Sequence, residues 1–199
     1  MKNRLPLTFC LHGDRITLRA PRVTDAGDVL AVRHRSREFL GPWIPMMAPE
    51  DDHLRGCKAQ IRHQRNQWRN DQAYALVVAD RRTDRFIGRV TFTEVVRSVF
   101  QNAALGYWID VEYAGRGLMS EALSLALGVA FGSMGLHRAQ AAIRPHNVAS
   151  LALARRCGLR REGLAARFLF IDGEWADHEI YAITAEEWSR PQLAHGRGG

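Results

Sequence analysis

The chain has 199 residues, of which 46% are apolar and 25% are charged, which is typical of one globular domain and argues against disorder. No apolar run approaches the ~18 residues of a membrane span, and the N-terminus lacks the apolar core of a secretory signal, so we expect a cytoplasmic protein. The 28 basic residues exceed the 21 acidic ones, and the net charge is +7. This excess favours partners that carry phosphate, either RNA or a nucleotide cofactor, although a solvated arginine-rich surface explains it equally well.

The first half of the chain alternates helix and strand signals. Polar and apolar residues alternate from Arg15 to Arg19, which predicts a half-buried strand, and Thr24 or Asp25 can cap the helix that follows. Pro49 can begin a second, very polar helix, because proline is tolerated at the first helical position. The predicted elements are a strand over 15–19, a helix over 24–35, a turn-rich loop over 39–45, a helix over 49–70, and strands over 73–79 and 86–95.

The second half contains a strand–helix–strand unit and a hairpin. The predicted elements are a strand over 105–111, a helix over 117–134, a strand over 138–143, a helix over 147–156, strands over 164–171 and 175–183 around Asp172-Gly173, and a capping box over 184–187. Most strands follow one another directly, which favours antiparallel pairing, whereas the crossover in 105–143 is long enough for parallel neighbours. We therefore expect an α/β fold of the α+β type, with a mixed, mostly antiparallel sheet of about seven strands and about four flanking helices.

The stretch from Ile109 to Leu123 is the most informative segment for chemistry. A predicted strand runs into the turn Gly115-Arg116-Gly117 and then into a helix N-terminus, where free backbone amides and the helix dipole favour a bound diphosphate. The turn does not match the dinucleotide fingerprint, because Ser120 occupies the third glycine position, and no Gly-Lys-Ser/Thr follows. A plain glycine turn is the alternative interpretation.

Two motifs of the chain resemble those of the GNAT superfamily of N-acetyltransferases. Residues 112–117 resemble the pyrophosphate loop Gln/Arg-x-x-Gly-x-Gly/Ala, with Glu112 at the Gln/Arg position. Downstream, Asn147 and Ser150 resemble the Asn-x-x-Ser helix of the family, and 158–163 resembles its Gly-Phe-x-x-Glu-Gly ending, with leucine in place of phenylalanine. The resemblance implies a GNAT fold, in which the two central parallel strands splay apart, and it implies acetyl-CoA as the acyl donor.

Further segments look like the RimJ-type branch, whose members acetylate the N-terminal alanine of a small-subunit ribosomal protein. These segments are 39–43, 95–100, 105–107, 117–119, 134–138 and 171–178. The resemblance covers most of 12–188 and implies one GNAT domain there, an N-terminal arm over 1–11 and a flexible tail over 189–199. It also implies a ribosomal protein N-terminus as acceptor.

The same resemblance implies the residues that bind acetyl-CoA. Pantetheine would pair with the strand that ends at Ile109 to Val111, and the amine would attack the thioester directly, without a covalent enzyme intermediate. Ser150 would protonate the departing thiolate and Asn147 would hold the cofactor chain, whereas a helix cap and an incidental serine are the structural alternatives. The cofactor-binding residues are Ile109, Val111, Gly115, Arg116, Gly117, Leu118, Met119, Ser120, Asn147 and Ser150.

The residue that accepts the proton of the amine is less clearly indicated. An α-amine has a pKa of ~7.7–8.0, against ~10.4 for lysine, so a weak base suffices. Glu94 is the first candidate because it ends a strand beside the expected acceptor groove, and Asp177 and His178 follow; a solvated carboxylate or a structural hydrogen bond is the alternative. Trp43 and Tyr107 are expected to bind substrate, and the hydroxyls of Tyr107 and Tyr181 could also serve as acids, although ordinary packing explains these aromatic residues too.

Two other functions stay open from the sequence. One is an acyltransferase for small amines or lysine side chains, and the other is a non-catalytic ribosome-assembly factor that binds ribosomal RNA. The histidines show no metal-ligand spacing, and Cys10, Cys57 and Cys157 lie far apart, so we infer neither a metal site nor a disulfide framework. Cys157 is expected in the core rather than as a nucleophile. The oligomeric state is not determined.

Overall fold

The computed structural model of the protein describes residues 4–45, 48, 50 and 52–189. These residues form one sheet of eight strands in the order β1-β2-β3-β4-β5-β6-β8-β7. The strands are β1 (Cys10–His12), β2 (Ile16–Arg19), β3 (Tyr74–Asp80), β4 (Phe86–Val96), β5 (Asn102–Ile109), β6 (Arg138–Ile143), β7 (Arg160–Ile171) and β8 (Glu174–Thr184). The helices are α1 (Ala26–Arg35), α2 (Arg37–Leu40), α3 (Leu54–Arg69), α4 (Leu118–Phe131), α5 (Val148–Arg156) and α6 (Ala185–Ser189).

The pairing of β5 with β6 sets this sheet apart from a plain antiparallel one. These two strands are parallel, whereas the other neighbours in the sheet are antiparallel. Their register begins at Asn102 with Arg138 and ends at Ala104 with Gln140, although both strands continue beyond that point. The two strands therefore separate toward their C-terminal ends. The predicted mixed sheet with a splayed parallel pair is confirmed.

The helices cover the sheet in two layers, because side chains alternate between its faces. Val77 and Ala79 of β3 pack in one core cluster with buried residues of α1 and α3. Leu76 and Val78, their neighbours along the strand, belong to the other cluster, which contains the apolar stripe of α4 and part of α5. We call these two sides of the sheet the α1/α3 face and the α4/α5 face.

Several element boundaries differ from the sequence predictions. The sequence pattern missed β1 and α2, and it placed the first strand of the crossover unit at 105–111 instead of 102–109. Asn102, Ala103 and Ala104 are poor strand formers, and they are strand here because they pair with both β4 and β6. Val111, predicted as the last residue of that strand, begins a 3-10 turn over Val111–Tyr113. The predicted hairpin is confirmed, with β7 beginning at Arg160 rather than at 164.

The two ends of the expected domain are only partly described. Leu5, from the expected arm, is buried in the core beside the indole of Trp68, which donates a hydrogen bond to the Leu5 carbonyl at 2.7 Å. Pro49, the predicted start of the polar helix, and residues 190–199 of the expected tail lie outside the described residues. None of the described helices combines the length and the apolar character needed to span a bilayer.

Candidate active site

A cavity of about 760 Å³ lies along the unpaired end of β5, beside the first turns of α4 and α5. Tyr107 and Trp108 both line it, although Tyr107 packs with the core of the α4/α5 face and Trp108 with that of the α1/α3 face. The cavity is therefore accessible to groups from both faces of the sheet. The predicted site residues that line it are Trp43, Tyr107, Ile109, Gly115, Gly117, Leu118, Met119, Ser120, Asn147 and Ser150.

One end of the cavity is the predicted phosphate-binding turn. Gly115 and Gly117 adopt left-handed backbone conformations, with φ of 73° and 75°, and α4 begins at Leu118 directly after them. Glycine adopts this conformation without steric cost, and the absence of a side chain at Gly115 leaves its surroundings open. The first turn of α4 has backbone amides without intrahelical partners, so this end of the cavity is suited to an anion.

A fully buried carboxylate fixes the start of this turn. Asp110 accepts hydrogen bonds from Arg35 Nε at 2.9 Å and from Ser36 Oγ at 3.2 Å, at the junction between α1 and α2. It also accepts a bond from the backbone amide of Glu112 at 3.3 Å. Because α2 carries Phe39 and Leu40, which line the cavity, the same carboxylate anchors both the phosphate-binding turn and part of the opposite wall.

Two predicted cofactor residues lie outside the cavity lining. The backbone amide of Val111 donates to Ser36 Oγ at 3.1 Å, so this amide already has a partner. The guanidinium of Arg116 lies 5.5 Å from the ring centre of Tyr113. The backbone carbonyl of Arg116 accepts a hydrogen bond from the Arg15 side chain at 2.9 Å. Arg116 instead borders a second depression of about 550 Å³. The arginines around that depression are Arg15, Arg81, Arg82 and Arg116.

The two predicted hydroxyl groups meet on the α4/α5 face. Ser150 Oγ donates to the hydroxyl oxygen of Tyr107 at 2.9 Å, and the Tyr107 hydroxyl lies 3.2 Å from the Ser150 carbonyl, to which it donates. Burial raises the pKa of Tyr107 to about 12, so its hydroxyl is protonated at neutral pH. The Oδ1 atom of Asn147 caps α5 by accepting a bond from the Ser150 amide at 3.0 Å. This cap orients the first turn of α5 toward the cavity.

Cys157 lies behind these hydroxyl groups and is buried in the core, as predicted. Its thiol contacts Ser120, with an Sγ–Oγ distance of 4.0 Å. Burial raises the pKa of the Cys157 thiol, which keeps it protonated and argues against a nucleophilic role. Among the described residues, no group of three or more His, Cys, Asp or Glu side chains could hold a metal ion.

The predicted proton acceptors do not line the cavity. Glu94 is exposed on an irregular segment of β4, where its backbone is left-handed with φ of 51°. Asp177 is exposed on β8, and its Oδ1 accepts a bond from the Arg167 amide at 2.8 Å. His178 is turned inward instead and is 1% exposed, because consecutive strand residues point to opposite faces. Its Nδ1 donates to the Ala176 carbonyl at 2.9 Å.

Sequence reasoning missed Arg144, which joins two segments at the end of β6. Its guanidinium donates to the Pro42 carbonyl at 3.1 Å and to Glu174 Oε1 at 2.6 Å. It thereby connects the segment after α2, which lines the cavity with Trp43 and Ile44, to the β7–β8 hairpin. The sequence gives no local signal for this contact, because Pro42 and Glu174 lie far from Arg144 along the chain.

The described cavity lining is aromatic and apolar, with one arginine and no carboxylate. It contains Arg156 and His146, and none of its residues is aspartate or glutamate. The aromatic side chains are Phe39, Trp43, Tyr107, Trp108 and Tyr113. The sequence indicated Trp43 and Tyr107. Trp108 could have been found from its place beside Tyr107, in the strand that separates from its parallel neighbour.

An anion-binding turn beside a gap between parallel strands is the arrangement that the sequence resemblance implies. Residues 15–160 match the family model described as "Acetyltransferase (GNAT) domain", and the chain belongs to this family. It is thus an acetyltransferase of the GNAT type.

Similar proteins include ribosomal-protein acetyltransferases. The chain is 32% identical to the [ribosomal protein uS5]-alanine N-acetyltransferase of Escherichia coli (strain K12), over 90% of this chain and 92% of that protein. It is 31% identical to the probable N-acetyltransferase YjcK of Bacillus subtilis, over 87% of this chain and 96% of that protein. The structure of Mycobacterium smegmatis RimJ in complex with CoA-disulfide matches with a TM-score of 0.83 and 32% identity, covering 86% of this chain and 83% of that one.

The glycine turn leads to a prediction that has a matched control in the same chain. Gly115 and Gly173 have similar left-handed conformations, with φ of 73° and 81°, and an added Cβ would meet open space at both. We expect Gly115→Ala and Gly173→Ala each to lower the free energy of unfolding by about 1 kcal/mol. Only Gly115→Ala should also weaken CoA binding, by about 10-fold in titration calorimetry, because its Cβ enters the path of the phosphates. Equal CoA affinities for the two variants would contradict the assignment of the turn.

Proposed function

We propose that the chain transfers the acetyl group of acetyl-CoA to the N-terminal α-amine of an alanine on a ribosomal protein, by direct attack in a ternary complex. The observation that carries the proposal is a cavity that is lined from both faces of the sheet and combines an anion-binding turn with aromatic side chains. The acceptor class comes from the similar uS5-alanine acetyltransferase. A cytoplasmic location belongs to the same proposal.

The donor end of the cavity fits the chemistry of coenzyme A. Backbone amides around Gly115, Gly117 and the first turn of α4 would hold the diphosphate. Beyond Ala104 the edge of β5 has no strand partner on the β6 side, so its backbone groups near Ile109 are available to the amides of pantetheine. Acetyl-CoA supplies an activated acyl group on a thioester, and the protein supplies its binding and orientation.

Ser150 and Tyr107 would return a proton to the departing thiolate. Ser150 Oγ would turn from Tyr107 to donate its proton to the sulfur, and the Tyr107 hydroxyl, 2.9 Å away, would donate in turn to Ser150 Oγ. The proton that the amine releases on acylation would then return to Tyr107 through water, so that both hydroxyls end the cycle protonated. Because the pKa of Tyr107 is raised to about 12, the tyrosine starts this relay in its protonated form at neutral pH. Both groups act from the α4/α5 face.

The amine would enter beside Trp43 and Trp108, away from the hydroxyl pair. No aspartate or glutamate is present in the described lining to accept its proton or to bind it as a cation. This composition supports an acceptor with a weakly basic amine, because such an amine is partly neutral at physiological pH. It gives less support to polyamines and other strongly cationic small molecules. Water would take the proton from the amine and carry it to Glu94, Asp177 or His178, which lie outside the cavity lining.

A contact with ribosomal RNA is a further part of the proposal. The second depression is lined by four arginines and two aspartates, Asp14 and Asp80, so its lining has a net positive charge beside the phosphate-binding turn. Phosphate contacts of this kind release counterions, so such binding would weaken steeply with increasing salt.

The acceptor is tested by comparing three amines at equal concentration. We expect thiol release from acetyl-CoA with a peptide that starts with alanine, and mass spectrometry should find the acetyl group on its N-terminus. An N-terminally blocked peptide with one internal lysine should react at least about 100-fold more slowly near neutral pH, because its amine is ~2.5 pH units more basic. Turnover only with a pool of polyamines and aminoglycosides would contradict the proposal.

The proton relay is tested with hydroxyl deletions. We expect Tyr107→Phe to lower kcat by about 10-fold to 100-fold while the affinity for CoA stays unchanged, since the hydroxyl acts on the leaving group. Tyr181→Phe is the matched control, because its hydroxyl is also buried but bonds Arg155 Nε at 3.1 Å, outside the cavity. Ser150→Ala combined with Tyr107→Phe should cost much less than the product of the two single effects. An unchanged kcat for Tyr107→Phe would exclude the tyrosine from the relay.

A further inference from the structure

Arg89 is a buried arginine behind Trp108. We call the part of the cavity beside Trp43 and Trp108, where the amine would enter, the acceptor end. Arg89 lies on β4, opposite Trp108 of β5 in the strand register, and is 3% exposed. Its guanidinium carbon lies 6.0 Å from the ring centre of Trp108 and 5.5 Å from that of Phe86. Since Trp108 lines the cavity, one aromatic ring separates this charge from the space where the amine would enter.

Among the described residues, no carboxylate forms an ion pair with Arg89. Its Nε and Nη2 atoms are buried and have no hydrogen-bond partner. The charged and titratable groups around it are Arg33 of α1, Asp25 before α1 and Cys57 of α3. Asp25 already binds Arg19 through both oxygens, at 2.9 and 2.8 Å, and burial raises the pKa of the Cys57 thiol. In the described part of the chain, the aspartate that acts on Arg89 is thus shared with Arg19, and the charge of Arg89 is only partly offset.

A guanidinium with two buried nitrogens that lack hydrogen-bond partners is costly to stability, and an apolar side chain would fill the same place at lower cost. Burial lowers the pKa of Arg89 to about 10, so the group is still charged at neutral pH. The described cavity lining holds no carboxylate that could offset this charge. The residue is thus better explained by an effect on the cavity than by a contribution to folding.

We propose that Arg89 maintains a positive potential at the acceptor end of the cavity, which disfavours the ammonium form of the acceptor and selects its neutral, nucleophilic form. The inference rests on the proposed function and specifies its acceptor as an amine that is largely uncharged when it reacts. Selection of the neutral form favours a protein N-terminus over lysine. The pKa of the α-amine is ~2.5 units lower than that of lysine, so a much larger fraction of it is neutral at the same pH.

The effect has a measurable size. At an effective dielectric constant of ~20, a unit charge ~10 Å away shifts the pKa of a bound amine by about one unit. The pH profile of kcat reports this pKa, because kcat refers to the bound complex. The pH profile of kcat/KM instead reports the pKa of the free amine. At low pH each rate falls as the amine becomes protonated, and we call this part of the pH profile its acid limb. In the unmodified protein, the acid limb of the kcat profile should therefore lie about one pH unit below that of the kcat/KM profile.

Arg89→Met is the variant that tests the proposal. With the alanine peptide at saturation, we expect the acid limb of its kcat profile to rise by about one pH unit, while the limb of kcat/KM stays in place. Its melting temperature should equal or exceed that of the unmodified protein, since the substitution removes a buried charge with two nitrogens that lack hydrogen-bond partners. Arg69→Gln is the control: it removes one positive charge from the exposed end of α3 and should move neither limb.

A binding measurement separates the inference from the proposed reaction. A peptide with a trimethylated N-terminus is permanently cationic, and we expect it to bind Arg89→Met about 10-fold more tightly than the unmodified protein. The N-acetylated peptide, which is neutral there, should bind both proteins equally. The difference should persist in about 0.5 M salt, because buried charges are screened little.

The outcomes that overturn the inference are distinct from those that overturn the function. Turnover of the alanine peptide with identical kcat profiles in the two proteins would contradict the role of Arg89 alone. An equal loss of kcat at every pH together with a lower melting temperature would assign Arg89 to packing and also contradict it. Absence of turnover and of peptide binding in the unmodified protein would contradict the proposed function, and the inference with it.

Discussion

The site depends on the end of hydrogen bonding between β5 and β6 after Ala104 and Gln140. Two parallel strands that stop pairing inside a sheet leave backbone donors and acceptors without partners, and such groups need a ligand or water. The same separation opens the cavity between the two faces and brings Tyr107 and Trp108, which point to opposite sides, into one space. A fully paired sheet with the same residues would have neither the cavity nor the exposed strand edge.

The two faces of the sheet supply different chemistry to this space. On the α4/α5 face, the hydroxyl groups of Ser150 and Tyr107 meet where a thiolate would leave. On the α1/α3 face, aromatic rings backed by Arg89 form the wall that an amine would approach. Asp110 links the two regions, because it is bonded both to the turn and to the α1–α2 junction. Acyl transfer by direct attack needs this separation, since the amine and the leaving group lie on different sides of the carbonyl carbon.

Much of the fold was predictable because its signals are local. Strand alternation, helical stripes and the Asp172-Gly173 turn located most elements within a few residues. Where the predictions differ, pairing decided the outcome: β1 has three residues and is a strand through its contact with β2, and 102–104 is a strand because it lies between two others. Sequence patterns contain no information on such neighbours until the sheet order is known.

For the site, the sequence by itself determined the glycine turn at Gly115 and the cap at Asn147, since both depend on residues adjacent in the chain. Only the tertiary structure decided that Tyr107 meets Ser150, that Asp177 points outward while His178 points inward, and that Arg89 lies beneath Trp108. These contacts join residues on different strands and helices. They depend on strand register, and a shift of one residue would move each side chain to the opposite face of the sheet.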